Sequence, residues 1–350
     1  MAADAATFVY VGNADSQDVT VLRLNADERL MPVETVVVPG GDKPGGSLPL
    51  AVSPDRKFLF VALRNEPYTL VTFAIDAATG KLTRIGSGPL ADSMCYVTTD
   101  RTGRFLLAAS YGGSKVTVNR IGPDGVVGGV QQTVATLPNA HAIIADPSNR
   151  FVLHTSLGGD VIYQQKFDAA TGMLSPNEPP TVSVAVKGGP RHLAFAPDAA
   201  FVYVLDELSG AIHVFPWDAQ SGTMQPEMQG ATALPKGFEG TASQVKPWGA
   251  DIHLTPDGRF LYASERTTST LAAFRVDRKT GALTAIASYP TEQQPRGFAI
   301  DASGRYLLAA GQLSNSLTVH AIDQQTGALA ALKSYPVGKN PNWVEIVALA

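Results

Sequence analysis

The sequence predicts an all-β fold, a seven-bladed β-propeller with four antiparallel strands per blade. Three observations carry this. A short apolar strand led by an aromatic residue recurs seven times at a spacing of about fifty residues, turn signals follow it at matching places, and the chain ends on a strand that belongs with its beginning.

The recurring strand reads Phe8-Val9-Tyr10-Val11, Phe58-Leu59-Phe60-Val61, Phe105-Leu106-Leu107-Ala108, Phe151-Val152-Leu153-His154, Phe201-Val202-Tyr203-Val204, Phe260-Leu261-Tyr262-Ala263 and Tyr306-Leu307-Leu308-Ala309. In the fullest copy another alternating strand, Arg191 to Phe195, precedes it across a tight Pro197-Asp198 turn. A third alternating run follows the anchor strand, as in Val19-Thr20-Val21-Leu22, Lys115-Val116-Thr117-Val118 and Leu317-Thr318-Val319-His320. The fourth strand lies beyond a Thr-Gly or Ser-Gly turn, seen at Thr79-Gly80, Thr171-Gly172, Ser221-Gly222, Thr280-Gly281 and Thr326-Gly327. No copy has room for a helix. Radial packing of such units shields sheet edges that would otherwise invite aggregation.

Phe8 opens directly at a second-strand position, and Trp343-Val344-Glu345-Ile346-Val347-Ala348 matches a first strand, so the C-terminus is expected to complete the blade that the N-terminus starts. An array of β-sandwiches would leave this ending unexplained. The 350 residues, 45% of them hydrophobic, are read as one propeller domain, residues 1–350. Gln225 to Pro247 is the longest irregular stretch and reads as an elaborated loop.

A formal net charge of −4, with no basic stripe or block of like charge, argues against nucleic acid and anionic membranes as partners. There is no apolar run long enough to span a bilayer. The start, Met1-Ala2-Ala3-Asp4-Ala5-Ala6, has neither a basic nor an apolar signal region, so a cytoplasmic location is expected. Cys95 is the only cysteine, which excludes an internal disulfide and a cysteine metal cluster. His-Glu-x-x-His spacing, a phosphate-binding glycine loop and a nucleophile elbow are all missing, so neither a metal nor another cofactor is expected.

Function must come from residues that break the repeat. Arg104, Arg150, Arg259 and Arg305 each precede the anchor in the hairpin turn, Lys57 takes that place in another copy, and they are read as turn residues. On the opposite, funnel-bearing face two registers stand out. Ten residues before the anchor lie Leu48, Cys95, His141, Arg191, Ala250 and Arg296; six after it lie Ala14, Arg64, Tyr111, Leu157, Glu207, Arg266 and Gln312. Several copies manage with Leu or Ala, so the fold does not require charge there. His141, Arg191, Glu207, Arg266 and Arg296 fall in four consecutive blades and should converge on one side of the funnel. Guanidiniums clamp phosphate or carboxylate and stabilise an oxyanion, while a carboxylate and an imidazole supply general base and acid. The alternative is an ion-pair network on the rim, Arg191 with Glu207 and Arg266 with Glu265. His154, His213 and His320 sit inside second or third strands and are read as packing residues; His192 and His253, in first strands near the funnel, are read as supporting the site or simply buried.

At these residues the chain resembles the bacterial seven-bladed propeller 6-phosphogluconolactonases and the related fungal carboxymuconate cyclases. The resemblance is carried by Gly189-Pro190-Arg191-His192, Ala250-Asp251-Ile252-His253-Leu254-Thr255-Pro256-Asp257-Gly258-Arg259, Glu265-Arg266-Thr267, Gln294-Pro295-Arg296-Gly297-Phe298 and Ala309-Ala310-Gly311-Gln312. It implies hydrolysis of 6-phospho-D-glucono-1,5-lactone without a metal, with a small sugar-phosphate lactone as the partner. The site proposed in the cyclase branch falls by motif on His141, Arg191, Glu207 and Arg266, the positions that the registers also select. Arg296, His192, Arg64, Gln312 and His253 are assigned to substrate binding. The expected roles are Glu207, or else His141, as the base toward water, Arg191 at the oxyanion, and Arg266 with Arg296 on the phosphate. Asp206 and Glu265 stand where the family usually has Asn and Asp. A lactonase or cyclase for an unphosphorylated or carboxylated substrate, and a binding scaffold, are the competing readings.

Overall fold

The computed structural model describes residues 6–25, 27–41, 43–238 and 245–349, and these contain 29 strands and no helix. They form seven antiparallel sheets, one per blade, whose innermost strands contact one another around a central channel. Blade 1 runs outward through Pro341–Leu349, Ala6–Asn13, Asp18–Leu24 and Leu30–Val37. The chain's two ends are paired from Ala6↔Leu349 to Asn13↔Pro341, as the permuted ending predicts. The innermost strands of blades 2 to 7 are Leu50–Val52, Met94–Thr99, Ala140–Ala145, Pro190–Phe195, Gly249–Leu254 and Pro295–Ile300.

The core lies between blades. Seven apolar clusters are present, each shared by two neighbours. Side-chain alternation along a strand explains this: Phe8 and Tyr10 face blade 2, whereas Val9 and Val11 face blade 7. Second strands such as Phe201–Asp206 are consequently buried at every residue. Each fully buried Leu or Phe contributes roughly 1.5–3 kcal/mol.

A repeated lock joins the blades. The anchor ring Phe8 lies against Gly80 of blade 2, where an added Cβ would come within 2.2 Å of the ring and where φ is +69°. Only glycine meets both demands cheaply. The same pairing recurs between Phe58 and Gly125, Phe105 and Gly172, Phe151 and Gly222, Phe201 and Gly281, and Phe260 and Gly327. At the seventh interface the Tyr306 hydroxyl donates to Glu28 Oε1 at 3.1 Å. The arginines that precede the anchors lie over those rings, at 5.7 Å for Arg104, 5.2 Å for Arg150, 5.3 Å for Arg259 and 5.4 Å for Arg305. They are structural, as the repeat suggested.

Blade 5 departs from the expected pattern. Its outer strand is split into Thr223–Met224 and Met228–Thr232, so the irregular stretch expected from Gln225 contains a strand; residues 239–244 of that stretch lie outside the described residues. The break turns Glu227 back onto His213, whose Nδ1 lies 2.7 Å from Glu227 Oε1 and whose Nε2 lies 2.9 Å from Asp206 Oδ2. Burial works against a charge here, but the two carboxylates outweigh it and raise the imidazole to about 9. His154 is the opposite case: buried and stacked on Tyr163 at 4.5 Å, it is pushed down to about 3.

Two outcomes follow. Deleting residues 341–350 removes the innermost strand of blade 1 and should unfold the ring as a whole, read as a large loss in Tm. Because the folded-state pKa of His213 exceeds its unfolded value, its contribution is complete below about pH 6.5 and disappears as pH rises through about 9. Denaturant titrations should therefore show a loss on the order of 3 kcal/mol across that window, and His213→Gln should flatten it.

Candidate active site

The innermost strands of blades 3 to 7 each enter the blade through a bulge. The pairing with the second strand skips Cys95 in blade 3, His141 and Ala142 in blade 4, Arg191 in blade 5, Ala250 and Asp251 in blade 6, and Arg296 in blade 7. A bulge frees its extra residue from the ladder and re-aims its side chain. The second register is equally local. Arg64, Glu207, Arg266 and Gln312 each immediately follow the last residue of a second strand, Leu63, Asp206, Glu265 and Gly311. Both registers therefore sit where the ladder ends and the funnel begins.

Glu207 is the centre of the cluster. Its Oε2 accepts from Arg191 Nε at 2.8 Å and from Arg266 Nη2 at 2.9 Å. Arg191 and Arg266 are 2% and 4% exposed, so both charges are held out of water. Arg191 Nη1 also donates to the Ala250 carbonyl. Arg266 donates to the carbonyls of Trp248 and Gly249, at 3.3 Å and 3.0 Å, and stacks 3.8 Å from the Trp248 ring centroid. Burial would raise the Glu207 carboxyl, but the two guanidiniums outweigh it and hold it below the usual range. The main chain fixes the same point. Glu207 N donates to Gly189 O at 2.7 Å, and Gly249 N to Glu207 O at 2.9 Å. A Cβ at Gly249 would meet the Asp206 carbonyl at 2.4 Å, so glycine is what lets blade 6 approach.

Of the two ion pairs in the alternative reading, Arg191 with Glu207 forms and Arg266 with Glu265 does not. Glu265 accepts from Trp248 N, Thr268 N and Thr268 Oγ1, each at 2.6 Å, and so caps its own loop, while Arg266 turns to Glu207.

His141 is 4% exposed, with Nδ1 buried and without a partner. Burial first, then Arg191, His192, Arg296 and Arg266, keep its imidazole neutral far below the ordinary range. Arg296 Nη1 donates to Gly46 O at 2.8 Å; Arg64 donates to Ser93 Oγ at 3.1 Å and Ser47 Oγ at 2.8 Å. Gln312 stands apart, donating to Asn340 Oδ1 at 2.8 Å. Cys95 lies buried among the carbonyls of Ala109, Ala140 and His141, and burial pushes its thiol up, so it packs rather than reacts.

His192 and His253 are joined by a residue that the registers miss. Asp251, one place beyond Ala250 on the innermost strand of blade 6, has Oδ1 2.8 Å from His192 Nδ1 and Oδ2 3.1 Å from His253 Nε2. The His192 ring packs 5.2 Å from that of His141. Burial and Arg191 take His192 down to about 4, whereas for His253 the Asp251 carboxylate overcomes burial and raises it. Both histidines line a cavity of 220 Å³ with Tyr96, Asp251, Trp343 and Glu345, and burial lifts the Glu345 carboxyl to about 7. His253 therefore lies with this second cavity and not with the arginines. A legible signal existed: Asp251 is the one carboxylate of its first strand, two residues before His253. Glu207 itself opens on a larger cavity of 570 Å³, with Lys187, Leu208, Lys246, Pro247, Trp248 and Thr267.

Replacing Glu207 by Gln would strand two buried guanidiniums, and the expected cost is about 3–5 kcal/mol, read in denaturant unfolding. Replacing Glu265 by Gln should leave the Arg266 side chain in place and lower stability by less.

Known proteins resemble this chain over most of its length. The family model for lactonases of the seven-bladed beta-propeller type matches residues 8–346. A 6-phosphogluconolactonase of Pectobacterium carotovorum subsp. carotovorum is 41% identical over 294 residues, 84% of this chain and 84% of that protein. One from Pectobacterium atrosepticum is 39% identical with the same coverage. The solved periplasmic gluconolactonase of Pseudomonas aeruginosa superposes with a TM-score of 0.88 at 27% identity, covering 99% of this chain and 100% of that one. With the matched model spanning nearly every residue from the first blade to the last strand, the chain belongs to the seven-bladed β-propeller lactonase family.

Proposed function

We propose that this chain hydrolyses 6-phospho-D-glucono-1,5-lactone to 6-phosphogluconate, the lactone-opening step of the oxidative pentose phosphate pathway, at the funnel site around Glu207. The relatives near 40% identity carry that activity in their names. The observation that carries the reading is the charge balance: Arg64, Arg191, Arg266 and Arg296 surround one paired carboxylate and one neutral imidazole. Such a site is incomplete without an anion.

Glu207 has one engaged oxygen and one without a protein hydrogen bond among the described residues, and it opens on the 570 Å³ cavity. Water reaches it there, whereas His141 is almost fully enclosed. Glu207 Oε1 takes a proton from that water, whose oxygen attacks the lactone carbonyl carbon. Arg191 Nη2 and Arg266 Nη1, which have no protein acceptor among the described residues, meet the resulting oxyanion. Collapse breaks the bond to the ring oxygen, which receives the proton from Glu207, and the product acid ionises. His141, neutral, orients the lactone through one ring nitrogen. A lactone is an activated ester, so orientation and charge stabilisation suffice.

Opening on an unphosphorylated lactone is a second reading, favoured by the gluconolactonase neighbour in the solved structures. Proton release after adding freshly made 6-phosphogluconolactone, beside gluconolactone and corrected for spontaneous opening, separates the two. The phosphorylated lactone is expected to be opened far faster than background. Glu207→Gln should reduce kcat by about 100-fold or more, and His141→Ala by less. Full turnover in both variants would sink the assigned base chemistry.

A further inference from the structure

Arg64 and Arg296 are the two site arginines that no carboxylate neutralises among the described residues. They belong to blades 2 and 7, which flank blade 1 in the ring. At the two rim positions of blade 1, Ala14 is 2% exposed and Asn342, 1% exposed, is turned to Leu48 N at 3.0 Å and Asn340 O at 2.8 Å, so neither side chain is directed at the two guanidiniums. What fills the gap is main chain, the segment Gly45-Gly46-Ser47. Arg296 Nη1 binds Gly46 O and Arg64 Nη1 binds Ser47 Oγ, so the two guanidiniums converge on adjacent residues. Gly45 is needed for this approach, since a Cβ there would lie 2.7 Å from Arg64 Cβ.

Every acceptor that these two arginines find is neutral: one carbonyl and two hydroxyls. Burial, with Arg191 and Arg64 as neighbours, pulls Arg296 down to about 9. Arg64 Nη2 and Arg296 Nε and Nη2 have no protein acceptor among the described residues. By contrast Arg191 and Arg266 already share Glu207. Two guanidiniums with free donor edges match a phosphate monoester, which carries about −1.5 to −2 charge at neutral pH.

We infer that Arg64 and Arg296, seated on Gly46-Ser47, form a dianion subsite that receives the phosphate of the substrate, leaving Arg191 and Arg266 to the lactone end. The inference rests on the phospholactone reading. It moves the phosphate from Arg266 to Arg64. It also separates the funnel into a phosphate half, contributed by blades 7 and 2, and a carbonyl half, contributed by blades 5 and 6.

The rival place for a phosphate is the cavity beside Glu207, where Lys187 and Lys246 stand exposed. The test compares kcat/KM for phosphorylated and unphosphorylated gluconolactone in Arg64→Ala, Arg296→Ala, their Lys counterparts, and the Lys187→Ala/Lys246→Ala double variant, with inorganic phosphate as a competing anion. Each Arg→Ala change should lower the phosphorylated-to-unphosphorylated ratio by about ten-fold or more, chiefly through KM, and weaken inhibition by phosphate to a similar degree. Lys replacements should recover part of the ratio, and the double lysine variant should leave it where it stands. An equal loss on both lactones in the arginine variants would overturn the subsite, as would a ratio that follows Lys187 and Lys246. Should the wild-type protein open neither lactone, the functional reading falls by itself. The subsite is then read from thermal shifts with inorganic phosphate, which must raise the Tm of the wild type more than that of Arg64→Ala or Arg296→Ala.

Discussion

A blade of this protein has no core of its own. Each sheet is apolar on both faces, and each face is covered only by a neighbour, so the seven clusters exist only once the ring is closed. The lock between an anchor ring and the left-handed glycine of the next blade sets the spacing at which this happens. Closure by Pro341–Leu349 then matters more than the burial of one strand suggests, since opening it exposes faces on two blades. The repeat explains why most of the chain is invariant in pattern, and why chemistry is confined to places where the ladder stops.

Those places are the bulges at the heads of the first strands of blades 3 to 7 and the residues just past the second strands. Side chains there leave the blade and enter the channel mouth, where seven strands converge. Charge is tolerated because the surrounding main chain supplies carbonyls, as Ala250, Gly249, Trp248 and Gly46 do for the arginines. Tolerated is not the same as neutralised. Glu207 balances part of the positive charge, and Asp251 is engaged with His192 and His253. The remaining imbalance leaves the channel mouth positively charged, the charge that the proposed anionic substrate would meet.

The depth of the residues sorts their duties. At the rim, Arg191, Glu207 and Arg266 form one bonded unit on blades 5 and 6. One residue deeper, His192 carries contact from His141 to Asp251, and through it to His253 and the smaller cavity with Glu345. Neutral imidazoles at His141 and His192 keep additional positive charge out of the funnel.

The sequence alone determined the architecture and the addresses of the site. Hydrophobic alternation, the aromatic anchor and the Thr-Gly turns are local features, and local features repeat, so seven blades, the permuted closure and the two rim registers could all be counted from Phe8 to Trp343. It did not determine which charges pair. Arg266 lies next to Glu265 in the chain yet binds Glu207, because the end of a second strand sends successive side chains in different directions and Glu265 is drawn to its own loop. Asp251 went unread for the same reason: its partners, His192 and His253, lie on blade 5 and two residues along its own strand, and only the approach of two innermost strands makes them a unit. Gln312 obeyed the register yet bonded outward to Asn340, and Gln225 to Thr232 hid a broken strand whose Glu227 completes His213. Pairing is decided by distances between blades, and those exist only when the ring has closed.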